Sequence, residues 1–327
     1  MYIFCLLTFL SRILPAQTSI NDVHVEPREV VPSPPSAAAG SISSLDDARL
    51  PTIKTDVKLV LVPVTVTDPN ERFVTGLSRD NFQLFEGKTP QAIQHFSRED
   101  VPVSIGIILD VSGSMGDKLE RLREAVNQFC EAANPEDEFF LLTFSDQPRL
   151  AVDFTTSTAE IEKELVFTQP KGRTSLLDAL QMALHKMKDA HYGKKALLVI
   201  SDGGDNHSRY SERDVKGLAR ESDVMIYSIG LFDRSMPTPE EMLGPQLLTE
   251  VSEPTGGRAY TLGSPKELPA VARHIGLELR TQYVLAYRPN DSVHDGKWRK
   301  IKVKLMLPRK FAFLRAHAKP GYYAAFR

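Results

Sequence analysis

Residues 103–116, Val-Ser-Ile-Gly-Ile-Ile-Leu-Asp-Val-Ser-Gly-Ser-Met-Gly, constrain the fold of this chain more than any other stretch. An apolar run rich in β-branched residues, too short for a stable isolated helix, ends abruptly in Asp110, Ser112 and Ser114, with Gly113 and Gly116 among them. Such a run reads as a buried strand that empties into a loop of oxygen donors. Beyond Asp117, Leu119, Leu122, Val126 and Phe129, with Ala125 and Cys130 beside them, have the spacing of one helical face. The unit is strand, polar loop, helix. In doubly wound α/β sheets ligands sit at the carboxyl ends of the strands, which is where this loop falls.

The same grammar recurs downstream. A second strand over 137–144 ends in Ser145-Asp146, and 148–154 suits a short antiparallel edge strand. A short helix over 157–166 follows, then the loop Lys171-Gly172-Arg173-Thr174-Ser175 and a helix with Leu177, Leu180, Leu184 and Met187 on one face. Residues 194–202 form another buried strand with Gly203-Gly204-Asp205-Asn206 after it. Helices over 211–222, 239–252 and 265–279 alternate with strands over 224–230 and 258–261. This alternation predicts an α/β fold over 101–279: a doubly wound, mainly parallel, Rossmann-like sheet with helices on both faces.

On either side the pattern is β. Segment 53–100 carries alternating Val57, Leu59, Leu61, Val64 and Val66, then short runs at 73–77, 82–87 and 92–96 separated by turn residues. Segment 280–327 carries runs at 283–289, 298–307 and 311–317; in the middle one Ile301, Val303, Leu305 and Leu307 alternate with Lys302 and Lys304. Neither segment is large enough for a robust core, so the two are expected to pair into one small antiparallel β domain, with the α/β domain inserted between them.

A length of 327 residues suits about two domains. Forty basic against forty-two acidic side chains, a formal charge of −2, give no general pull toward nucleic acid or a membrane surface. Residues 1–16 read as a signal peptide, apolar to Leu14 and ending in a small residue at Ala16, although Arg12 interrupts the apolar run and no basic residue opens it. The expectation is therefore export, to a secreted, periplasmic or cell-envelope location, with no membrane span once the signal is removed. Residues 17–52, dense in Pro, Ser and Ala, read as a disordered leader. With Cys5 in the signal, Cys130 is left as a single thiol on an apolar helix face, a core residue and no disulfide partner.

Three loops present oxygen donors: Asp110, Ser112 and Ser114 in the first, Thr174 in the second, Asp202 in the third. None offers His or Cys at a ligand spacing, which favours Mg²⁺, or alternatively Mn²⁺ or Ca²⁺, over Zn²⁺. Two carboxylates do no more than balance a bound dication, and three neutral hydroxyls add no charge, so the ion keeps Lewis-acidic character and room for further oxygen. Water or a partner's Asp or Glu would complete it. Taken alone, Asp-x-Ser-x-Ser also suits a turn and a helix cap. Asp178 reads as a solvated or loop-bracing residue, and Asp205 and Asn206 as residues that fix the third loop.

Asp110-Val111-Ser112-Gly113-Ser114 resembles the metal-ion-dependent adhesion site of von Willebrand factor A domains. Gly172-Arg-Thr-Ser-Leu-Leu-Asp-Ala-Leu180 is similar to the family's threonine loop, and Ser201-Asp-Gly-Gly-Asp-Asn206 to its third loop. The flanking strands, including Tyr283-Val-Leu-Ala-Tyr287 and Gly321-Tyr-Tyr323, resemble those of exported bacterial proteins that carry this domain. The resemblance implies metal-dependent binding of a protein, with Asp110, Ser112, Ser114 and Thr174 around the ion and Asp202 ligating directly or through water. The expected function is an adhesion-type binding module that takes an acidic side chain of a protein partner, with no enzymatic activity. Two other readings stay open: a metal-stapled scaffold in an envelope assembly, and a metal-dependent hydrolase for which His207 is the nearest candidate base. The lysines of 297–304 read as a solvated sheet face rather than a polyanion surface.

Overall fold

The computed structural model describes residues 59–202, 204–232, 239–290 and 295–324; the expected signal peptide (1–16) and leader (17–52) lie outside them. The first β segment forms β1 (Val60–Thr67), β2 (Phe82–Glu86), β3 (Thr89–Gln91) and β4 (Ile93–Ser97). The α/β part follows as β5 (Ser104–Asp110), α1 (Leu119–Ala132), β6 (Glu138–Phe144), β7 (Pro148–Thr155), α2 (Thr158–Phe167), α3 (Leu176–Lys186), β8 (Lys195–Ser201), α4 (Glu212–Glu221), β9 (Val224–Leu231), α5 (Pro239–Ser252), β10 (Ala259–Leu262) and α6 (Leu268–Thr281). The chain closes with β11 (Tyr283–Tyr287), β12 (Trp298–Leu305), β13 (Arg315–Ala318) and β14 (Gly321–Tyr323).

Six strands in the order β10-β9-β8-β5-β6-β7 make the central sheet. Every neighbouring pair is parallel except β6 with β7, which is antiparallel. β5, β6 and β9 are buried along their whole length, as strands covered on both faces must be. On one face α1, α2 and α6 pack Leu122, Val126, Phe129, Ile161, Leu165 and Ile275 against Ile105, Ile107 and Leu109. On the other, α3, α4 and α5 bring Leu180, Leu184, Val215 and Leu248 against Ile108, Leu142 and Val199. Cys130 lies in the first of these cores, and burial pushes its thiol up to about 12, so it is inert at neutral pH. The α/β reading of the sequence holds.

The flanking strands form two four-stranded sheets, β13-β1-β11-β4 and β14-β12-β2-β3, and each draws on both ends of the chain. β1 pairs antiparallel with β11 (Val62 opposite Leu285) and β12 with β2 (Val303 opposite Leu84). Val62, Val64, Val66, Phe82, Leu84, Ile93, Leu285 and Ile301 fill the space between. One run expected as a strand is something else, and another is a strand only in its second half. At 73–77 the chain makes only a bridge from Thr67 to Phe73, because Gly76 adopts φ +86° and the Tyr283 hydroxyl takes over the backbone, accepting from Leu77 N–H (3.0 Å) and donating to the Val74 carbonyl (2.9 Å). At 311–317 a 3-10 turn over Arg309–Phe311 follows Pro308, and the strand begins only at Arg315.

Glu278 of α6, 1% exposed, joins the α/β sheet to the β domain. Its carboxylate accepts from Thr65 Oγ1 of β1 (2.8 Å) and from the Tyr227 hydroxyl of β9 (3.2 Å), and lies 3.6 Å from Arg258 Nε. Arg258 also pairs with Glu71 at 2.9 Å. His274 stacks on Phe73 beside this cluster with ring centroids 4.6 Å apart, and His317 approaches Thr67 Oγ1 at 3.5 Å. Burial holds both imidazoles below their ordinary pKa, against the opposing pull of Glu278. A folded-state pKa below the unfolded one means that protons bind the unfolded chain better. This contribution to stability is therefore intact above about pH 6.5, the unfolded value, and is lost as pH falls from there through the lower folded value. Urea titrations at pH 7.5 and pH 5.5 should show the parent losing more stability than a His274→Phe/His317→Gln variant; equal losses would contradict this.

Candidate metal centre

The site is built where β5 and β8 end at the same edge of the sheet. β5 delivers Asp110, which is fully buried, and β8 ends at Ser201, with Asp202 next to it. Asp110 Oδ1 accepts from Ser112 N–H (2.9 Å), and Oδ2 accepts from the Ser201 hydroxyl (2.6 Å). The Ser114 hydroxyl donates to Asp202 Oδ2 in a short hydrogen bond and receives one from Ser112 Oγ at 3.1 Å. Asp110, Ser112, Ser114 and Asp202 are thus one connected set. Burial first, and the charge of Asp202 second, push the Asp110 carboxyl up to about 7.

Thr174 enters on the adjacent loop, and the three loops are laced to one another through their backbones. Gly113 N–H donates to Gly172 O (3.1 Å) and Lys171 N–H to Val111 O (2.9 Å). Asn206 N–H and His207 N–H both donate to Thr174 O at 3.1 Å, and Thr174 N–H donates to Asn206 Oδ1 at 3.1 Å. Thr174 is therefore fixed on both sides of its own peptide unit. Asp205 holds Leu177 N–H (2.8 Å) and the Ser208 hydroxyl (2.6 Å). Asp178, buried, accepts from Arg209 N–H (2.8 Å) and Tyr210 N–H (3.1 Å), which makes it a brace and not a ligand.

Three contributors went unassigned in the sequence. Ser201 supports Asp110 from the last position of β8. Asp146, at the end of β6, accepts from Arg173 N–H at 2.9 Å and so anchors the threonine loop. Arg173 itself lies exposed, with Nη1 3.3 Å from His207 Nδ1. The first two had a readable signal, since polar residues at the carboxyl ends of parallel strands are placed to serve a site. Gly172 is forced by the anchor: its φ is +81°, and a Cβ there would stand 2.5 Å from Asp146 Oδ2. Gly172→Ala should cost about 1–2 kcal/mol of stability and weaken divalent-cation affinity about tenfold by detaching Asp146. Gly87→Ala, with φ +59° and open space around the added Cβ, should lower stability alone, and equal metal affinities for the two variants would contradict the assignment.

Among the described residues no three His, Cys, Asp or Glu side chains converge as a metal site would require, so a cation here must draw on hydroxyls as well as carboxylates. The residues present fit a hard dication. Two acidic side chains held close together in a buried setting are relieved by positive charge between them, and the neighbouring hydroxyls are neutral oxygen donors.

Residues 105–204 match the family model of the von Willebrand factor type A domain. An uncharacterised protein of Borreliella burgdorferi is 28% identical over 182 residues, which cover 48% of this chain and 53% of that protein. The inter-alpha-trypsin inhibitor heavy chain H4 of Bos taurus is 27% identical over 141 residues, 39% of this chain and 15% of that protein. The similarity thus spans about half of the first of these relatives and a small part of the second. A solved von Willebrand factor type A structure from Catenulispora acidiphila is 12% identical with a TM-score of 0.49, over 84% of this chain and 75% of that one.

Proposed function

We propose that the chain is a divalent-cation-dependent protein-binding module of an exported protein, in which Asp110, Ser112, Ser114 and Thr174 surround the ion and Asp202 acts directly or through water. The observation that carries this reading is the connected set of two buried carboxylates and two serine hydroxyls at the strand ends. The match of residues 105–204 to the von Willebrand factor type A domain supports it. Mg²⁺, or alternatively Mn²⁺ or Ca²⁺, would supply a Lewis-acidic point of positive charge for an Asp or Glu of the partner. Asp110 and Asp202 provide the charge that holds the ion. Ser112, Ser114 and Thr174 provide neutral oxygens that leave its positive character largely intact. The laced loops keep these donors in place, so little ordering accompanies capture. A single carboxylate bond does not make a stable complex; a specific interface buries roughly 1,200 Å² or more, so the surrounding loops contribute.

Asp146, Asp178, Asp205 and Asn206 brace the loops through hydrogen bonds of their own, which favours a binding role over a metal staple. His207 meets Arg173 through Nδ1, which disfavours it as the base of a hydrolase. Isothermal titration of the full chain with Mg²⁺, Mn²⁺ and Ca²⁺ tests this, with Thr174→Ala as the companion. That variant keeps all three hydrogen bonds made by the Thr174 backbone and removes only its hydroxyl. Saturable binding by the parent and about tenfold weaker binding by the folded variant are expected, a loss of about 1.4 kcal/mol. No saturable binding, or equal affinities, would sink the proposal.

A further inference from the structure

The rim of the site bears a second group of donors that the metal reading leaves unused. Arg173 directly precedes Thr174, and its backbone N–H is tied to Asp146 while the next residue is tied to Asn206. His207 is likewise tied through its own N–H to Thr174 O. Both side chains are exposed and meet at 3.3 Å, Arg173 Nη1 to His207 Nδ1. A guanidinium can only donate, so His207 Nδ1 accepts and its proton sits on Nε2. The pair therefore presents the remaining Arg173 N–H groups and His207 Nε2–H outward, from two anchored backbones. Among the described residues no carboxylate forms an ion pair with Arg173, while the nearby acids are committed elsewhere: Asp146 to Arg173 N–H, Asp178 to Arg209 and Asp205 to Leu177 and Ser208.

We infer that Arg173 and His207 form a carboxylate subsite beside the metal centre, and that the partner segment carries two acidic side chains close in sequence. One completes the ion and the other is taken by the Arg173 fork with His207 Nε2–H. This rests on the metal reading above and adds the class of partner. A guanidinium matches a carboxylate with two parallel hydrogen bonds, which a lysine in its place cannot reproduce. Lys171, also exposed and two residues before Arg173, adds to the positive field of this loop, in a chain whose net charge is −2. That field would steer an acidic segment in without fixing its register.

The test uses glycine-flanked peptides with one Asp, and the same peptides with a Glu one, two or three positions after the Asp. Affinities for the full chain are measured by titration in Mg²⁺ and again with EDTA. At one spacing the doubly acidic peptide should bind the parent about tenfold more tightly than the single-Asp peptide in Mg²⁺. Arg173→Gln should abolish that advantage, Arg173→Lys should keep only part of it, and Lys171→Gln should retain it. Mg²⁺ affinity measured without peptide should be the same in all four proteins. No advantage at any spacing, or an advantage that survives Arg173→Gln, overturns the subsite. Failure of the metal reading looks different: Mg²⁺ alone then fails to bind the parent, and an Arg173-dependent preference that persists in EDTA would show the subsite acting without the ion.

Discussion

Asp110→Asn should lose divalent-cation affinity by about two orders of magnitude or more, equivalent to roughly 3 kcal/mol, while its metal-free form remains at least as stable as the parent. The two halves of this expectation have the same origin. Asp110 is fully buried, and with no cation beside it burial and the charge of Asp202 raise the cost of ionising it. An amide of the same shape still accepts one of the two hydrogen bonds that Asp110 receives, from Ser112 N–H or the Ser201 hydroxyl, and removes the repulsion. It also removes charge that a hard cation requires. Isothermal titration with Mg²⁺, beside urea unfolding in EDTA, separates the two effects. Retained Mg²⁺ affinity, or a variant clearly less stable than the parent in EDTA, would contradict them.

Glu278→Ala should destabilise the protein by about 3–5 kcal/mol, the cost of stranding buried partners of a charge. Arg258, 17% exposed, would keep Glu71 as its ion-pair partner, while the hydroxyls of Thr65 and Tyr227 would lose the Glu278 carboxylate as acceptor. Glu278→Gln keeps an oxygen for Thr65 and should lose clearly less. Urea midpoints of the two variants decide the matter. A loss below about 1 kcal/mol for Glu278→Ala would mean that the junction tolerates these groups unpaired.

The parallel core was legible in the sequence because strands covered on both faces leave continuous apolar runs, as β5, β6 and β8 do. The β domain was legible in outline and less so in detail. Apart from β1 and β12 its strands have five residues or fewer, and the turns at 73–77 and at the start of 311–317 depend on a hydroxyl from Tyr283 and on Pro308. Glu278 was invisible as a junction. A single Glu on an amphipathic helix reads as a surface residue, and its partner Thr65 lies 213 positions away. In the site, the Asp-x-Ser-x-Ser spacing and the bracing residues Asp205 and Asn206 could be read directly. Asp146 could be read as a polar residue at a strand end, but its hold on Arg173 could not, because only the fold brings it to that loop.

The most direct test of the metal centre is anomalous diffraction from crystals of the full chain grown with Mn²⁺. The expected result is a peak bounded by Asp110, Ser112, Ser114 and Thr174, with ligand oxygens at about 2.0–2.6 Å and Asp202 either bound or one water away. A structure with Mn²⁺ in the crystallisation solution and no peak among these residues, or with its peak elsewhere, would contradict the assignment.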